Sequence, residues 1–560
     1  MSQFVSRSLY WLTNWPTVIS RLALFLLLAA IFAPIIQVLF EPLMGIREQL
    51  RVVAGLPGIG RTILNTFLLA AGTVVLALTL GTFFGWATGQ LSVVKARIAT
   101  VLTTSALFVP PIAGVIGWIF LFSPRIGYAN VLLRATPFFD GSSGPVDIRT
   151  LTGIVIIDTI YLVPFVFLYV STALRSVDPA LEHAAMVSGS SWLGAQFRIV
   201  LRIIRPAIIY GTVIVMLIGL GQFTVPLVLG SNHGINVITT EIYNQLEVRA
   251  VPQEATAAFL AMPLVIAGFA LVHIQRLSVG DVDRFSATNK GIGGQRKSRD
   301  WLLIPIAVYA FIAVVPAVVA LAIVAFSPYW SSTIMVDKFS FNAFTDIWAD
   351  STIRNSILNS IKLSTFGVIA GLIGSFIVSR YLLGSAKGRF STFVDYTINL
   401  PLTIPHVVLG LGIFLIFAVG PFSLFGSAWL FVIAYLVLYI PHGVRMIQSG
   451  LVQLGTTHEA AARVAGAGAI RTLIWILLPM LRRSLASGGV LMFVLMSREF
   501  SASSLLRTPN NQVMSTRLFD SYTNGIFTDT AAIALIMVGI SVLGVSLITV
   551  LGGRAPTDLK

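Results

Sequence analysis

Long apolar runs separated by short polar breaks dominate the chain. Twelve of these runs reach the roughly 20 residues that a helix needs to cross a hydrocarbon core of about 30 Å. They lie at 21–40, 62–88, 98–122, 151–174, 206–230, 255–275, 301–326, 357–379, 393–419, 427–448, 484–506 and 530–552. The runs are continuous and do not alternate with polar residues, so the pattern predicts membrane helices and not barrel strands. The reading is an all-α integral membrane protein with about 12 transmembrane helices. Two runs are less regular near their outer ends: 206–230 carries Pro226, and 484–506 carries Arg498 and Glu499.

The longest internal polar break is RLSVGDVDRFSATNKGIGGQRKSRD at 276–300. Its Gly, Ser, Lys, Arg and Asp content predicts a flexible linker. It divides the chain into a first half, 1–276, a linker, 277–300, and a second half, 301–560, with six runs in each half. The halves repeat. Asn65-Thr66 opens the second run of one half, and Asn359-Ser360 opens the matching run of the other. Tyr161-x-x-Pro164 answers to Tyr439-x-Pro441. Pro164 and Pro441, Glu182 and Glu459, Gly189 and Gly466, and Phe223 and Phe500 are each 277 apart, and Thr240 and Thr516 are 276 apart. A constant offset over several motifs marks an internal repeat. Six runs per half give both halves the same orientation, so the repeat is parallel about an axis along the membrane normal.

Composition agrees. Hydrophobic residues make up 56% of the 560 positions, charged residues only 11%, and mean hydropathy is +0.89. Ordinary soluble domains are about 25% charged, so a soluble enzyme is excluded, and so is a disordered chain. There is no cysteine, hence no disulfide and no thiolate for metal binding or nucleophilic attack. Net charge is +15. With the N-terminus in the cytoplasm and the spans alternating, the inner segments hold 24 of the 37 Lys and Arg, while most Asp and Glu fall outside. This asymmetry matches the positive-inside rule and removes the need for a nucleic-acid partner. Both termini are then cytoplasmic. The first run is long and has no clean small-x-small site after it, which favours a retained helix over a cleaved signal.

The informative polar segments are LEHAAMVSGSSWLGAQFRIVLRIIRPAI (181–208) and HEAAARVAGAGAIRTLIWILLPMLRRSL (458–485). Each follows the fourth span of its half and so faces the cytoplasm. Each contains Glu-x-Ala-Ala-x-x-x-Gly: Glu182, Ala184, Ala185 and Gly189, then Glu459, Ala461, Ala462 and Gly466. Glu, the second Ala and Gly stand at i, i+3 and i+7, on one helical face. Glycine permits the left-handed turn that ends a short helix. The expected product is a short surface helix offering a carboxylate and a small-residue face to a partner.

This motif, followed in the second copy by an apolar stretch and Leu478-Pro479, resembles the "EAA" loop of binding-protein-dependent ABC importer permeases. The resemblance covers nearly the whole chain, as two fused permease halves. The segments NTFLLAAGTVVLALTLGTFFGWATG and SREFSASSLLRTPNNQVMSTRLF look most like the branch that includes ferric-iron, thiamine and phosphonate importers, the ferric-iron subgroup above all. The resemblance implies a permease in a bacterial inner membrane, two ATPase subunits docked on the two loops and an extracytoplasmic substrate-binding protein. The chain departs from the pattern at His183 and Ala460, where many relatives carry a second Glu, and at Leu201-Arg202, where they carry Leu-Pro. No G-x-x-x-x-G-K-[ST] phosphate loop is present, so ATP hydrolysis is expected on a separate subunit, with no enzyme activity and no cofactor in this chain.

Ionisable residues inside membrane spans are costly, roughly 2.5–3.5 kcal/mol at the bilayer centre, and so mark function. Asp158 is the clearest, either lining a path or hydrated within the bundle. Arg498 and Glu499 are adjacent and need not face each other. Pro110-Pro111 and Pro401 with Pro405 interrupt the corresponding third spans, where paired breaks suggest a central path or kinks needed for packing. The six histidines show no zinc spacing, and no carboxylate or tyrosine cluster stands out in the spans, so no metal site is expected. The alternative reading is a secondary active transporter of the major-facilitator type, which also has 12 spans in parallel halves. Its usual acidic residue between spans two and three has no counterpart in GQLSVVKARI. A channel or scaffold would leave the repeated motif without a purpose.

Overall fold

The computed structural model describes residues 17–552, apart from 140, 142, 176, 280–298, 385–387 and 420–422. The described residues are helical, joined by turns and loops, with no strand among them. Helices α1 (Thr17–Phe40), α2 (Ile59–Thr88), α3 (Val93–Thr104), α4 (Pro111–Phe122) and α5 (Leu151–Arg175) open the first half. The short helix α6 (Pro179–Val187) follows, then α7 (Arg205–Leu220) and α8 (Glu254–Val279). The second half runs α9 (Leu303–Phe326), α10 (Ser351–Gly384), α11 (Arg389–Asn399), α12 (His406–Phe414), α13 (Ala428–Leu454), the short α14 (Thr457–Val464), α15 (Leu478–Ser497) and α16 (Phe527–Gly552).

Ten helices among the described residues are long and apolar enough to cross a membrane as they stand. The third span of each half is instead a bent pair: 87° between Val93–Phe108 and Pro111–Phe122, and 104° between Arg389–Leu402 and His406–Ala418. Proline sits at both joints. It disfavours helical geometry in the residue before it, as at Val109 and Pro110, which are extended; in the second half Pro405 is itself extended ahead of α12. Counting each pair as one span gives 12. The fifth span of each half is also interrupted. In the first, α7 ends at Leu220 and the helix resumes at Thr224. In the second, α15 starts at Leu478, six residues before the predicted run, and ends at Ser497. At the domain boundary α8 extends to Val279, beyond the predicted limit of 276, and most of the predicted linker lies outside the described residues.

The repeated motifs hold equivalent positions. Asn65 donates to the Asn236 carbonyl at 3.1 Å, and Asn359 to that of Gln512 at 3.2 Å. The Thr66 hydroxyl accepts from the Ile238 amide at 2.9 Å, and the Ser360 hydroxyl from Met514 at 2.7 Å. Thr240 and Thr516 accept from Val237 and Val513 at 2.9 and 3.1 Å, completing the starts of Ile238–Tyr243 and Met514–Thr523. Each pair satisfies amides that a helix start leaves without a partner.

Each half lends its first helix to the other. Helix α1 packs on α12, with Gly412 against Pro34, and α9 packs on α4, with Gly117 against Ala317. Small residues make these approaches possible. A methyl on Gly117 would lie 2.5 Å from the Ala317 carbonyl oxygen. Within the first half, a methyl on Gly81 of α2 would lie 2.6 Å from the Val166 Cβ and 2.9 Å from the Val163 carbonyl oxygen of α5. Gly81→Val should therefore force α2 and α5 apart, at a cost of about 1–3 kcal/mol or more. Thermal unfolding of the purified chain should show a lower midpoint, and an unchanged midpoint would contradict this packing.

Candidate coupling elbows and a cavity between the halves

The two polar segments form matching elbows. In the first, the Asp178 side chain accepts from the Ala180 amide at 2.9 Å and caps α6. The helix ends with Ser190 N–H bonded to the Ala185 carbonyl at 3.0 Å and Gly189 at φ 88°. In the second, Ala467 N–H bonds the Ala462 carbonyl at 2.9 Å and Gly466 has φ 79°. This is the hydrogen-bonded helix ending that needs a left-handed residue. A side chain at either glycine would meet nothing within 4 Å, so backbone conformation alone demands glycine there. Each elbow then passes into a single π turn, Gln196–Val200 and Leu473–Leu477.

The expected orientation of these helices is corrected. The carboxylates of Glu182 and Glu459 are buried, at 4% and 5% exposure, and point into the chain's own bundle. Glu459 takes a two-pronged ion pair from Arg380 of α10, with Nη1–Oε1 2.6 Å and Nη2–Oε2 3.1 Å. Glu182 accepts from Gln196 Nε2 at 2.9 Å, and Gln196 Oε1 accepts from Trp86 Nε1 of α2 at 3.0 Å. Ala462 is buried and Ala185 half-buried on the same side, so the small residues let the short helix approach its own bundle. The outward face carries Ala184 and Ala461 and, five residues after each Glu, Val187 and Val464, at 89% and 92% exposure. Trp475, Ile470, Leu193 and Phe197 extend this exposed apolar surface. Sequence reasoning overlooked Val187 and Val464, although they keep the 277 offset. It also overlooked Trp86 and Arg380, which are 294 apart like Asn65 and Asn359.

The bends of the third spans meet between the halves around a cavity of about 250 Å³. Pro111, Asp158, Pro401, Pro405 and Arg498 line it; Pro110 and Glu499 do not. Arg498 reaches across to donate to the Leu107 carbonyl at 2.6 Å. Its neighbour Glu499 turns away and accepts from the amides of Ala502 and Ser503, both at 2.9 Å, and from the Ser503 hydroxyl at 2.7 Å. Glu499 thus caps the turn Ser503–Leu506 and has a structural explanation. Asp158 is fully buried in the wall, and neither carboxylate oxygen has a hydrogen-bond partner. The Tyr161 hydroxyl lies beside it, near Trp118.

Phe223 and Phe500 stack across the pseudo-axis, with ring centres 5.6 Å apart and planes at 26°. Beyond them Arg507 ties the halves together. It pairs with Asp520, donates to the Tyr243 hydroxyl at 3.1 Å and lies 3.9 Å from Glu247. Burial pushes the Glu247 carboxyl above its usual range, and the Arg507 charge opposes that shift. The two halves are therefore in contact on that side of the cavity. Among the described residues no group of three His, Cys, Asp or Glu side chains could hold a metal ion.

Comparison with known proteins agrees with the repeat. Residues 81–283 and 367–555 each match the family described as binding-protein-dependent transport system inner membrane component. The putative ferric transport system permease protein of Haemophilus influenzae is 23% identical over 474 residues, covering 81% of this chain and 71% of the relative. The ferric transport system permease protein of Actinobacillus pleuropneumoniae is 22% identical over 499 residues, covering 85% and 69%. A putative 2-aminoethylphosphonate transport system permease protein of Salmonella typhimurium is 25% identical over 221 residues, 39% of this chain and 81% of the relative. With the family pattern present twice on a helical fold of two fused six-span halves, the chain belongs to the binding-protein-dependent ABC importer permeases.

Proposed function

We propose that this permease passes ferric iron from an extracytoplasmic binding protein into the cytoplasm, driven by two ATPase subunits seated on α6 and α14. The observation that carries the reading is the pair of elbows. Two short helices at equivalent places each bury the Glu and expose one valine almost completely. Each valine belongs to an exposed apolar patch, with Leu193 and Phe197 on the first elbow and Ile470 and Trp475 on the second, and a patch of that kind marks a contact surface. The excess of Lys and Arg on the elbow side supports placing that side in the cytoplasm. Nucleotide binding would draw the two ATPase subunits together, move the elbows and reorient the halves about the cavity. Phe223, Phe500 and Arg507 then serve as the outer closure, which opens when the halves reorient.

Ferric iron as the cargo is supported by the two ferric permease relatives, each aligned over more than four fifths of this chain. The cavity offers hard oxygen donors, Asp158 and Tyr161, which suit a hard cation in transit. Among the described residues that line the cavity Asp158 is the only carboxylate, and the proposal leaves selection to the binding protein and passage to this chain. Uptake of radiolabelled ferric iron by cells carrying the chain, in competition with thiamine and 2-aminoethylphosphonate, tests the cargo. Competition by either organic compound and none by ferric iron would refute it. Asp158→Asn should slow uptake about tenfold or more while ATPase binding is retained, a barrier change of at least about 1.4 kcal/mol. Unchanged uptake by that variant would remove Asp158 from the path.

A further inference from the structure

Among the described contacts, the two elbows meet different side chains. In the second half Arg380 reaches Glu459 directly. The equivalent position in the first half is Trp86, and Gln196 stands between it and Glu182. On this side a cation arrives from elsewhere in the sequence. The guanidinium carbon of Arg299, at the end of the predicted linker, sits 3.4 Å from the ring centre of Trp192. Trp192 begins the turn that follows α6, and its ring lies 5.8 Å from that of Trp86. The Arg299 amide donates to the Gln90 carbonyl at 2.8 Å. Asp300 pairs with Lys95 at 2.7 Å and accepts from the Ser92 amide at 3.3 Å. The end of the linker is thus fastened to the turn after α2 and to the base of the first elbow.

We propose that Arg299 is a positioning residue for the first elbow, taking on the first side the part that Arg380 plays on the second. The placement of α6 then depends on a residue at the end of the linker, which makes the two elbows mechanically unequal. The functional weight of this asymmetry rests on the coupling role proposed above, but the contact itself does not. The chain has no cysteine, so it can be labelled at single introduced sites without background.

The test places a nitroxide on Val187→Cys and, separately, on Val464→Cys in the full-length chain in lipid nanodiscs. Arg299→Ala should raise the mobile fraction at 187 about two- to fivefold, the range that a cation–π contact of ordinary strength at a partly exposed site corresponds to. It should leave 464 unchanged. Arg380→Ala should loosen 464 and leave 187 unchanged. Arg299→Lys keeps a cation over the ring and should restore the order at 187. An unchanged label at 187 in Arg299→Ala, or equal loosening at both sites, would overturn the assignment. So would failure of lysine to restore order. Because the readout needs no ATPase, its failure leaves the docking of that subunit untouched, and failure of docking leaves this result standing.

Discussion

The double variant Val187→Asp/Val464→Asp should insert and fold normally but no longer retain the ATPase subunits proposed to seat on α6 and α14. Both side chains are almost wholly exposed, so neither holds the bundle together. If each is buried in a partner, its loss removes about 1.5–3 kcal/mol of apolar burial. Two such losses amount to about 3–6 kcal/mol, or roughly 10²–10⁴ in affinity. The aspartates add the cost of desolvating charge. Each single variant should show roughly the square root of that loss if the elbows bind independent subunits. Co-purification of the ATPase and titration by light scattering measure the effect. Gly189 and Gly466 give a second, weaker handle. Alanine there meets no atom of this chain but must adopt a left-handed backbone at about 1–2 kcal/mol, so the elbow is distorted without a clash.

Arg380→Ala should be the most damaging single change near the second elbow. It leaves the Glu459 carboxylate buried at 5% exposure without its two-pronged partner. Removing one member of a buried ion pair costs about 3–5 kcal/mol, because the remaining charge stays desolvated. Helix α14 should then detach from the bundle. Amide exchange across 457–464 should accelerate by at least about a hundredfold, given a factor of ten per 1.36 kcal/mol. Glu459→Gln in the same background removes the stranded charge and should recover most of the protection. Gln196→Ala, the nearest counterpart in the first half, takes one neutral donor from Glu182 and should cost only about 1–3 kcal/mol. Equal acceleration in the two elbows would contradict the unequal anchoring.

Much of the fold was legible because a bilayer imposes a simple rule, about 20 apolar residues per crossing. Repeat offsets could be read for the same reason. Asn65 with Asn359, and Thr240 with Thr516, keep their places because each bonds a backbone group that only a side chain at that position reaches. The bends at Pro110-Pro111 and Pro405 were visible as prolines, but their size was not: proline sets local φ, whereas an angle near 90° depends on what the second segment packs against. The orientation of Glu182 and Glu459 was misread because a carboxylate suggests solvent. Arg380 lies 79 residues from Glu459, and Trp86 lies 110 from Gln196, which is itself 14 from Glu182, and no spacing rule connects them. Arg498 and Glu499 illustrate the same limit. Adjacency said only that they diverge; contacts with Leu107 and Ser503 decided which one faces the cavity.

The decisive measurement is substrate uptake into proteoliposomes that hold the wild-type chain, with its ATPase subunits and ATP inside and the loaded binding protein outside. Uptake should require ATP and fall to background when Val187→Asp/Val464→Asp replaces the wild type. Undiminished uptake by that double variant, or by the wild type with no ATPase subunit present, would contradict the proposed transmission through α6 and α14.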